Sequence, residues 1–210
     1  MINPDDVSLI IFDCDGVLVD TETLANDVLY RHLRAKGVRH SPAETTNLFL
    51  GLSFSDMQAR AQQYYNLTLD DTFWRRVQQE TFTAFKLNLK PDPVTLHLLS
   101  NLKKPYCVAS SGSHEKMILS LGLSGLLPAF KNRLFSAEQV TRGKPAPDLF
   151  LFAADYFAVK PAHCLVIEDS LTGCEAAKAA GMQLLAFKTE TSASFPDVIT
   201  DLRALQDILG

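Results

Sequence analysis

The sequence lacks several patterns that define whole classes of protein. No CxxC pair occurs among Cys14, Cys107, Cys164 and Cys174, so neither a zinc site nor a dithiol redox motif is predicted, and buried reduced thiols are expected. No run of 18 uncharged apolar residues is present, so no membrane span is expected. A net charge of −4 without Lys/Arg clusters argues against nucleic acid or an anionic membrane surface as a partner.

The first residues and the bulk composition are those of an ordinary globular protein. Residues 1–6 are polar and acidic and do not resemble a secretory signal, so a cytoplasmic location is expected. The 210 residues are 47% hydrophobic and 21% charged, which supplies ample material for a core. This length suggests one large domain or a domain with a sizeable insertion.

Short apolar runs alternate with helical patterns along much of the chain. The five runs that predict strands are 8–12, 106–109, 133–136, 164–168 and 184–187. Between the later runs, Ser113 predicts a helix cap with Gly122 just past the helix end, Pro147 predicts a helix start, and 172–180 predicts a third helix. This alternation predicts an α/β fold with a doubly wound parallel sheet.

The segment 21–90 differs because it contains helical patterns and no convincing strand. A helix is predicted over 22–36, and three more are predicted to begin near Ser41, Ser53 and Asp70. We therefore expect a helical domain over 21–90, inserted into an α/β domain formed by 1–20 and 91–210.

Polar side chains follow the predicted strands at the points where they end. Asp13 and Asp15 follow the first strand, 110–113 (SSGS) the second and 168–170 (EDS) the fourth, while a later loop supplies Lys144. Ligands of open α/β sheets bind at this edge. Two adjacent carboxylates repel each other unless a cation lies between them, and Mg²⁺ prefers oxygen ligands and substrate phosphate. The pattern predicts a metal-plus-phosphate site.

Each of these segments taken alone also has a plainer structural explanation. Asp and Gly are common in turns after strands, Ser113 fits a helix cap, and acidic residues favour helix starts such as the one after Glu168. The five histidines show no metal-ligand spacing. The combination of segments, and not any single one, favours chemistry.

Four motifs resemble, in order, those of the haloacid dehalogenase superfamily: DCDGVLVDTE at 13–22, VASSG at 108–112, GKPAPD at 143–148 and VIEDS at 166–170. The resemblance covers nearly the whole chain. It implies a Rossmann-like core with a helical cap like that of the phosphatase and β-phosphoglucomutase branch.

The resemblance also implies roles for individual residues. Asp13 would be the nucleophile that forms an aspartyl-phosphate, and Asp15 would be the general acid/base. Ser110 and Lys144 would hold the transferring phosphoryl group. The backbone N–H groups that follow, at Ser111 and Gly112, are candidates for further phosphate contacts.

The implied metal is Mg²⁺, held by the Asp13 carboxylate, the Asp15 main-chain carbonyl and Asp169. Glu168 would contribute directly or through a ligand water. The predicted substrate is a small phosphorylated metabolite, and the protein would act as a monomer or homodimer.

Sequence differences from the branches of this family indicate which reaction to expect. Asp15 disfavours dehalogenases and phosphonatases, which lack a carboxylate there. β-Phosphoglucomutases carry a cap arginine in a Gly-Val-Ser-Arg loop and a histidine early in the first cap helix, where this chain has 51–54 (GLSF) and Ala25. A phosphatase acting on a small organic phosphate such as a sugar phosphate is therefore predicted, with Thr21, Glu22 and Phe54 as cap-side substrate contacts. A phosphosugar mutase and a non-catalytic phosphate-binding module remain alternatives.

Overall fold

The computed structural model describes residues 2–49, 52, 54–188 and 195–209, apart from the side chains of residues 54 and 55. The strands are β1 (Leu9–Phe12), β2 (Tyr106–Ser110), β3 (Leu134–Ser136), β4 (Cys164–Glu168), β5 (Gln183–Phe187) and β6 (Val198–Ile199). The helices are α1 (Glu22–Ala35), α2 (Pro42–Phe49), α3 (Phe54–Tyr65), α4 (Asp71–Asn88), α5 (Pro93–Asn101), α6 (His114–Leu123), α7 (Asp148–Tyr156), α8 (Leu171–Ala179) and α9 (Ala204–Leu209).

The six strands found in the described residues form one sheet in the order β3-β2-β1-β4-β5-β6, and every neighbouring pair is parallel. The predicted fold class is confirmed, with all five predicted strands present. β1 lies between β2 and β4, where the direction of winding reverses. The carboxyl ends of these three strands therefore border the crevice in which such sheets bind ligands.

Side chains on both faces of the sheet are buried. Ile10 and Phe12 of β1 pack into one hydrophobic cluster with α5 and α6, while Leu9 and Ile11 pack into another with α7 and α8. Successive strand residues point to opposite faces, so a strand covered on both sides requires an unbroken apolar run. Each fully buried aliphatic side chain contributes about 1.5–3 kcal/mol.

Helices α1 to α4 come between β1 and β2 in the sequence and have a hydrophobic cluster of their own. Its largest members include Phe49, Phe73 and Trp74, with Leu29 and Leu33 from α1. The predicted helix starts at Ser41 and Asp70 are confirmed: Ser41 and Glu44 form a reciprocal capping box, and Asp70 accepts from Phe73 N at 2.7 Å. The predicted cap at Ser53 lies outside the described residues.

Two details differ from the sequence predictions. Gly122 lies inside α6, which extends to Leu123, and the residue with positive φ after the helix is Gly125. β6 and α9 were not predicted, since a two-residue strand and a one-and-a-half-turn helix carry almost no periodic pattern.

All four cysteines are buried and free, as expected. No helix in the described part of the chain is long and apolar enough to cross a bilayer.

Candidate active site

Asp13, directly after β1, lies at the centre of a buried charge cluster. Lys144 Nζ donates to Asp13 Oδ1 at 2.6 Å, to Glu168 Oε2 at 2.7 Å and to the Ala109 carbonyl at 3.0 Å. These contacts use all three donors of the ammonium group. Lys144 therefore joins the carboxyl ends of β1, β2 and β4, and Asp13 Oδ2 is left for other partners.

Glu168, at the end of β4, is held by four donors. Its Oε1 accepts from the Asp169 and Ser170 backbone N–H groups at 3.1 and 3.0 Å and from Ser170 Oγ at 2.8 Å, while Oε2 accepts from Lys144. A carboxylate offers about four lone-pair positions. The geometry therefore leaves Glu168 better suited to positioning Lys144, and to a metal contact through water, than to direct metal binding.

Asp169 extends over the loop that follows β1. A Cβ added to Gly16 would lie 1.9 Å from Asp169 Oδ2, and Gly16 has φ +88°, so only glycine fits between them. Oxygen atoms of Asp13, Glu168 and Asp169 lie within 4.8 Å of one another. Asp13 and Asp169 thus supply hard oxygen donors that fit Mg²⁺, with Glu168 close enough to act through a water ligand.

The protein alone does not neutralise these carboxylates. Burial, aided by the charge of Glu168, raises the pKa of Asp13 to about 7 although Lys144 opposes the shift. Burial and the charge of Asp13 raise the pKa of Asp169 to about 10. A further positive charge at this point would relieve both effects, in agreement with the donor set.

Asp15, two residues after Asp13, is held by side chains from three segments. Thr21 Oγ1 donates to Asp15 Oδ1, Lys116 Nζ lies 2.9 Å from Asp15 Oδ2, and Ser110 Oγ donates to the same oxygen at 3.5 Å. Burial opposes the charge of Lys116, but Asp15 outweighs it and the pKa of Lys116 is raised. Thr21 is fully buried and does not reach the cleft surface, although it was predicted to contact substrate.

The predicted phosphate loop follows β2. The Gly112 N–H donates to Ser110 Oγ at 3.0 Å, and Ser136 of β3 donates to the Gly112 carbonyl at 2.7 Å. Ser113 caps α6 by accepting from Lys116 N at 3.2 Å. These bonds fix Ser110, Ser111 and Gly112 beside Asp15, at the start of a helix whose dipole favours anions.

A cleft between the sheet edge and helices α1 to α3 joins these groups. Its volume is about 70 Å³. The lining includes the predicted residues Asp13, Asp15, Glu22, Ser110, Ser111, Gly112, Glu168 and Asp169. From the insertion, the described lining residues are Glu22, Ala25, Asn26, Phe49, Leu52 and Met57. The side chain of Phe54, predicted to contact substrate, lies outside the described part of the structure.

Glu22 is the first residue of α1 and faces the carboxylates across the cleft. Burial and the charge of Asp15 raise its pKa to about 8. Its Oε2 lies 3.2 Å from the position that a Gly16 Cβ would take, close to Asp169. The structure therefore brings this predicted contact residue to the site.

Sequence reasoning missed Lys116, Asn26 and Ser136. A signal existed for Lys116, because it lies three residues after the Ser113 cap and helical side chains point back toward the helix N-terminus. Asn26 lies one turn after Glu22 on α1, which also places it on the cleft side. Ser136 carried no local signal, since its role depends on a neighbouring strand.

The chain belongs to the haloacid dehalogenase-like hydrolases. The model of that family matches residues 7–181, which is most of the chain. The match confirms the membership predicted from the four motifs, and it makes the protein an enzyme of the hydrolase class.

Individual relatives agree with this assignment. The chain is 30% identical over 182 residues to 6-phosphogluconate phosphatase of Escherichia coli (strain K12), covering 86% of this chain and 82% of that protein. It is 33% identical over 183 residues to the probable pseudouridine-5'-phosphatase of Drosophila melanogaster, covering 83% and 79%. A solved haloacid dehalogenase-like protein of unknown function from Agrobacterium tumefaciens superposes with a TM-score of 0.79 at 31% identity over 97% of each chain. The predicted class, phosphoric monoester hydrolase, agrees with the named relatives.

Proposed function

We propose that the protein is a Mg²⁺-dependent phosphatase that hydrolyses a small organic phosphate monoester, such as a sugar phosphate, through an aspartyl-phosphate. The observation that carries this proposal is the convergence of Asp13, Asp15, Lys144 and Asp169 at one sheet edge. Residues 1–20 and 91–210 form the catalytic core in this proposal, and 21–90 form the cap. We place the enzyme in the cytoplasm, as a monomer or homodimer whose partner is a small phosphorylated metabolite.

In the first step, Asp13 Oδ2 attacks phosphorus and the bond to the leaving-group oxygen breaks. Lys144 holds the other oxygen of Asp13, which fixes the direction of attack. Asp15 donates a proton to the departing oxygen, so the product leaves as an alcohol. Ser110 and the backbone N–H groups of Ser111 and Gly112 hold the phosphoryl oxygens.

In the second step, Asp15 takes a proton from water, which attacks phosphorus and releases Asp13 and inorganic phosphate. Thr21 and Lys116 keep the Asp15 carboxylate in place between the two steps. The Asp13 and Asp169 carboxylates and the Asp15 carbonyl would hold Mg²⁺, with Glu168 acting through water. When bound, Mg²⁺ offsets the repulsion between the anionic nucleophile and the anionic phosphoryl group.

The cleft is bordered on one side by the sheet edge and on the other by helices of the insertion. We infer that helices α1 to α4 move away to admit substrate and return to exclude water during transfer.

A mutase would have to bind a second phosphate on the cap side, which calls for charge-assisted hydrogen bonds. The described lining residues of the insertion include no lysine, arginine or histidine, and the sequence of residues 50–55 contains none. These residues support hydrolysis over mutase activity.

The test is phosphate release by the purified protein from a panel of sugar phosphates and nucleotides, with and without Mg²⁺. We expect release that depends on Mg²⁺, a transient phosphoprotein on rapid quenching, and loss of both in Asp13→Asn. The exposed Asp155→Asn is the matched control and should keep full activity. Retained turnover in Asp13→Asn would contradict the nucleophile assignment. Conversion of β-glucose 1-phosphate to glucose 6-phosphate faster than phosphate release would favour the mutase.

A further inference from the structure

We propose that the leaving-group side of the cleft selects a neutral, hydroxyl-bearing group and rejects one that carries a second anion. Glu22 and Asn26 of α1 are the selecting side chains. This inference rests on the proposed phosphatase function and narrows its substrate class.

The charge balance of the site is the first observation. Five carboxylates face the cleft among the described residues: Asp13, Asp15, Glu22, Glu168 and Asp169. Against them stand the ammonium groups of Lys116, in the lining, and Lys144, behind it. Acidic groups therefore outnumber basic ones around the cleft, and among the described lining residues of the insertion Glu22 is the one that is acidic.

Both cations of the site already contact carboxylates. Lys144 uses its three donors on Asp13, Glu168 and the Ala109 carbonyl, and Lys116 lies 2.9 Å from Asp15. The described cap-side residues add no cation, because apart from Glu22 they are uncharged. A carboxylate or second phosphate on the leaving group would therefore meet Glu22 on the cap side without a cap-side cation to offset it.

Glu22 and Asn26 are the polar groups that α1 presents to the leaving group. They are four residues apart on one helix, so they share a face. The Glu22 carboxylate makes no hydrogen bond with any described residue, although it lies half-buried at the cleft. A carboxylate accepts hydrogen bonds and an amide both donates and accepts, so the pair matches the hydroxyl groups of a polyol. The apolar Ala25, Phe49, Leu52 and Met57 can contact its carbon chain.

The test uses two pairs of esters that differ in a single group. Glycerol 3-phosphate and 3-phosphoglycerate differ only in a hydroxymethyl or carboxylate at C1, and glucitol 6-phosphate and 6-phosphogluconate differ in the same way. The assay measures kcat/KM for each ester with saturating Mg²⁺ under identical conditions. In at least one pair, the ester with the uncharged leaving group is expected to have a kcat/KM about tenfold or more above that of the ester with the carboxylate.

Two variants should change the ratio of kcat/KM for the acidic ester to kcat/KM for its uncharged counterpart, in opposite directions. Glu22→Gln removes a charge and should raise the relative kcat/KM of the acidic ester about tenfold to a hundredfold, the effect of one unit charge at about 6–10 Å with an effective dielectric constant near 20. Asn26→Asp adds a charge on the same helix face and should lower it. Asp27→Asn is the matched control, since it removes a charge from the neighbouring position, where the side chain is 64% exposed and paired with Arg31. Its ratio should equal that of the wild type.

Binding separates selection from turnover. In the Asp13→Asn background, calorimetry with Mg²⁺ should show tighter binding of the neutral ester than of its acidic partner, and Glu22→Gln should narrow the gap. Equal kcat/KM for the two esters of each pair, unchanged by Glu22→Gln and by Asn26→Asp, would overturn this inference. The proposed phosphatase function would then still stand. A preference for the acidic esters would overturn it as well. No phosphate release from any ester would instead overturn the proposed function.

Discussion

Replacing Lys144 by methionine should destabilise the protein far more than loss of an ordinary lysine. At an effective dielectric constant near 20, the contacts at 2.6 and 2.7 Å correspond to about 6 kcal/mol of attraction each, offset by desolvation of the buried ammonium group. Without Lys144, Asp13 and Glu168 would repel by about 3.5 kcal/mol at 4.8 Å when both are charged, or Asp13 would have to take up a proton. We expect the free energy of unfolding to fall by about 3–5 kcal/mol, as when a buried ion pair loses one partner.

A second substitution tests the reason for this loss. Glu168→Gln removes one of the two stranded charges, so Lys144→Met/Glu168→Gln should be less destabilised than the sum of the single variants by about 1.5 kcal/mol or more. The exposed Lys131→Met is the control and should change stability by no more than about 0.5 kcal/mol.

The assay is urea unfolding in metal-free buffer, followed by far-UV circular dichroism and by fluorescence of Trp74, the single tryptophan. Dichroism reports on the whole chain and Trp74 on the hydrophobic cluster of the insertion, so coincident transitions justify a two-state analysis. A loss below about 1 kcal/mol in Lys144→Met, or strict additivity in the double variant, would refute the electrostatic reasoning.

Three further substitutions test other parts of the site. Gly173→Ala would place a Cβ 2.0 Å from the Glu168 carboxylate and should lower both the unfolding midpoint and the activity. Gly122→Ala is the control: its Cβ would have its nearest neighbour at 3.8 Å, and the change should stabilise the helix by about 0.5–1 kcal/mol. Equal melting curves for the two variants would contradict this prediction. Asp169→Ala should raise the Mg²⁺ concentration for half-maximal rate by more than the about 10–100-fold typical of an outer-shell partner, and an unchanged metal titration would place the site elsewhere. Lys116→Met should lower kcat about tenfold, with partial recovery in Lys116→Arg, and wild-type kcat in Lys116→Met would remove its positioning role.

The sequence predicted the fold because its strands and helices carry strong local signals. A strand covered on both faces needs a continuous apolar run such as 8–12, and helix caps such as Ser41 and Asp70 are read directly from residue type. β6 was missed because two residues are too few for a pattern. Its place in the sheet comes from pairing with β5, which local sequence does not encode.

The sequence also predicted which charged groups lie close together, but not which hydrogen bonds each of them makes. The carboxyl ends of parallel strands bring Asp13 and Glu168 together in any fold of this class. That Glu168 accepts four hydrogen bonds, and that Thr21 is buried against Asp15, depends on side-chain packing between separate elements. Helical spacing from Ser113 and Glu22 places Lys116 and Asn26 near the site, but the contact of Lys116 with Asp15 depends on packing between separate elements.

Helix α1 has two different faces, and it connects the interior of the insertion to the cleft. Leu29 and Leu33 pack against Phe73 and Trp74 inside the insertion, while Glu22, at the start of the same helix, lines the cleft. A helix shifts or rotates as a unit when its buried side is repacked. In the proposed function, hydrophobic substitutions that never touch the substrate would therefore move Glu22 and change substrate preference, and a mutant library aimed at changing specificity should include them.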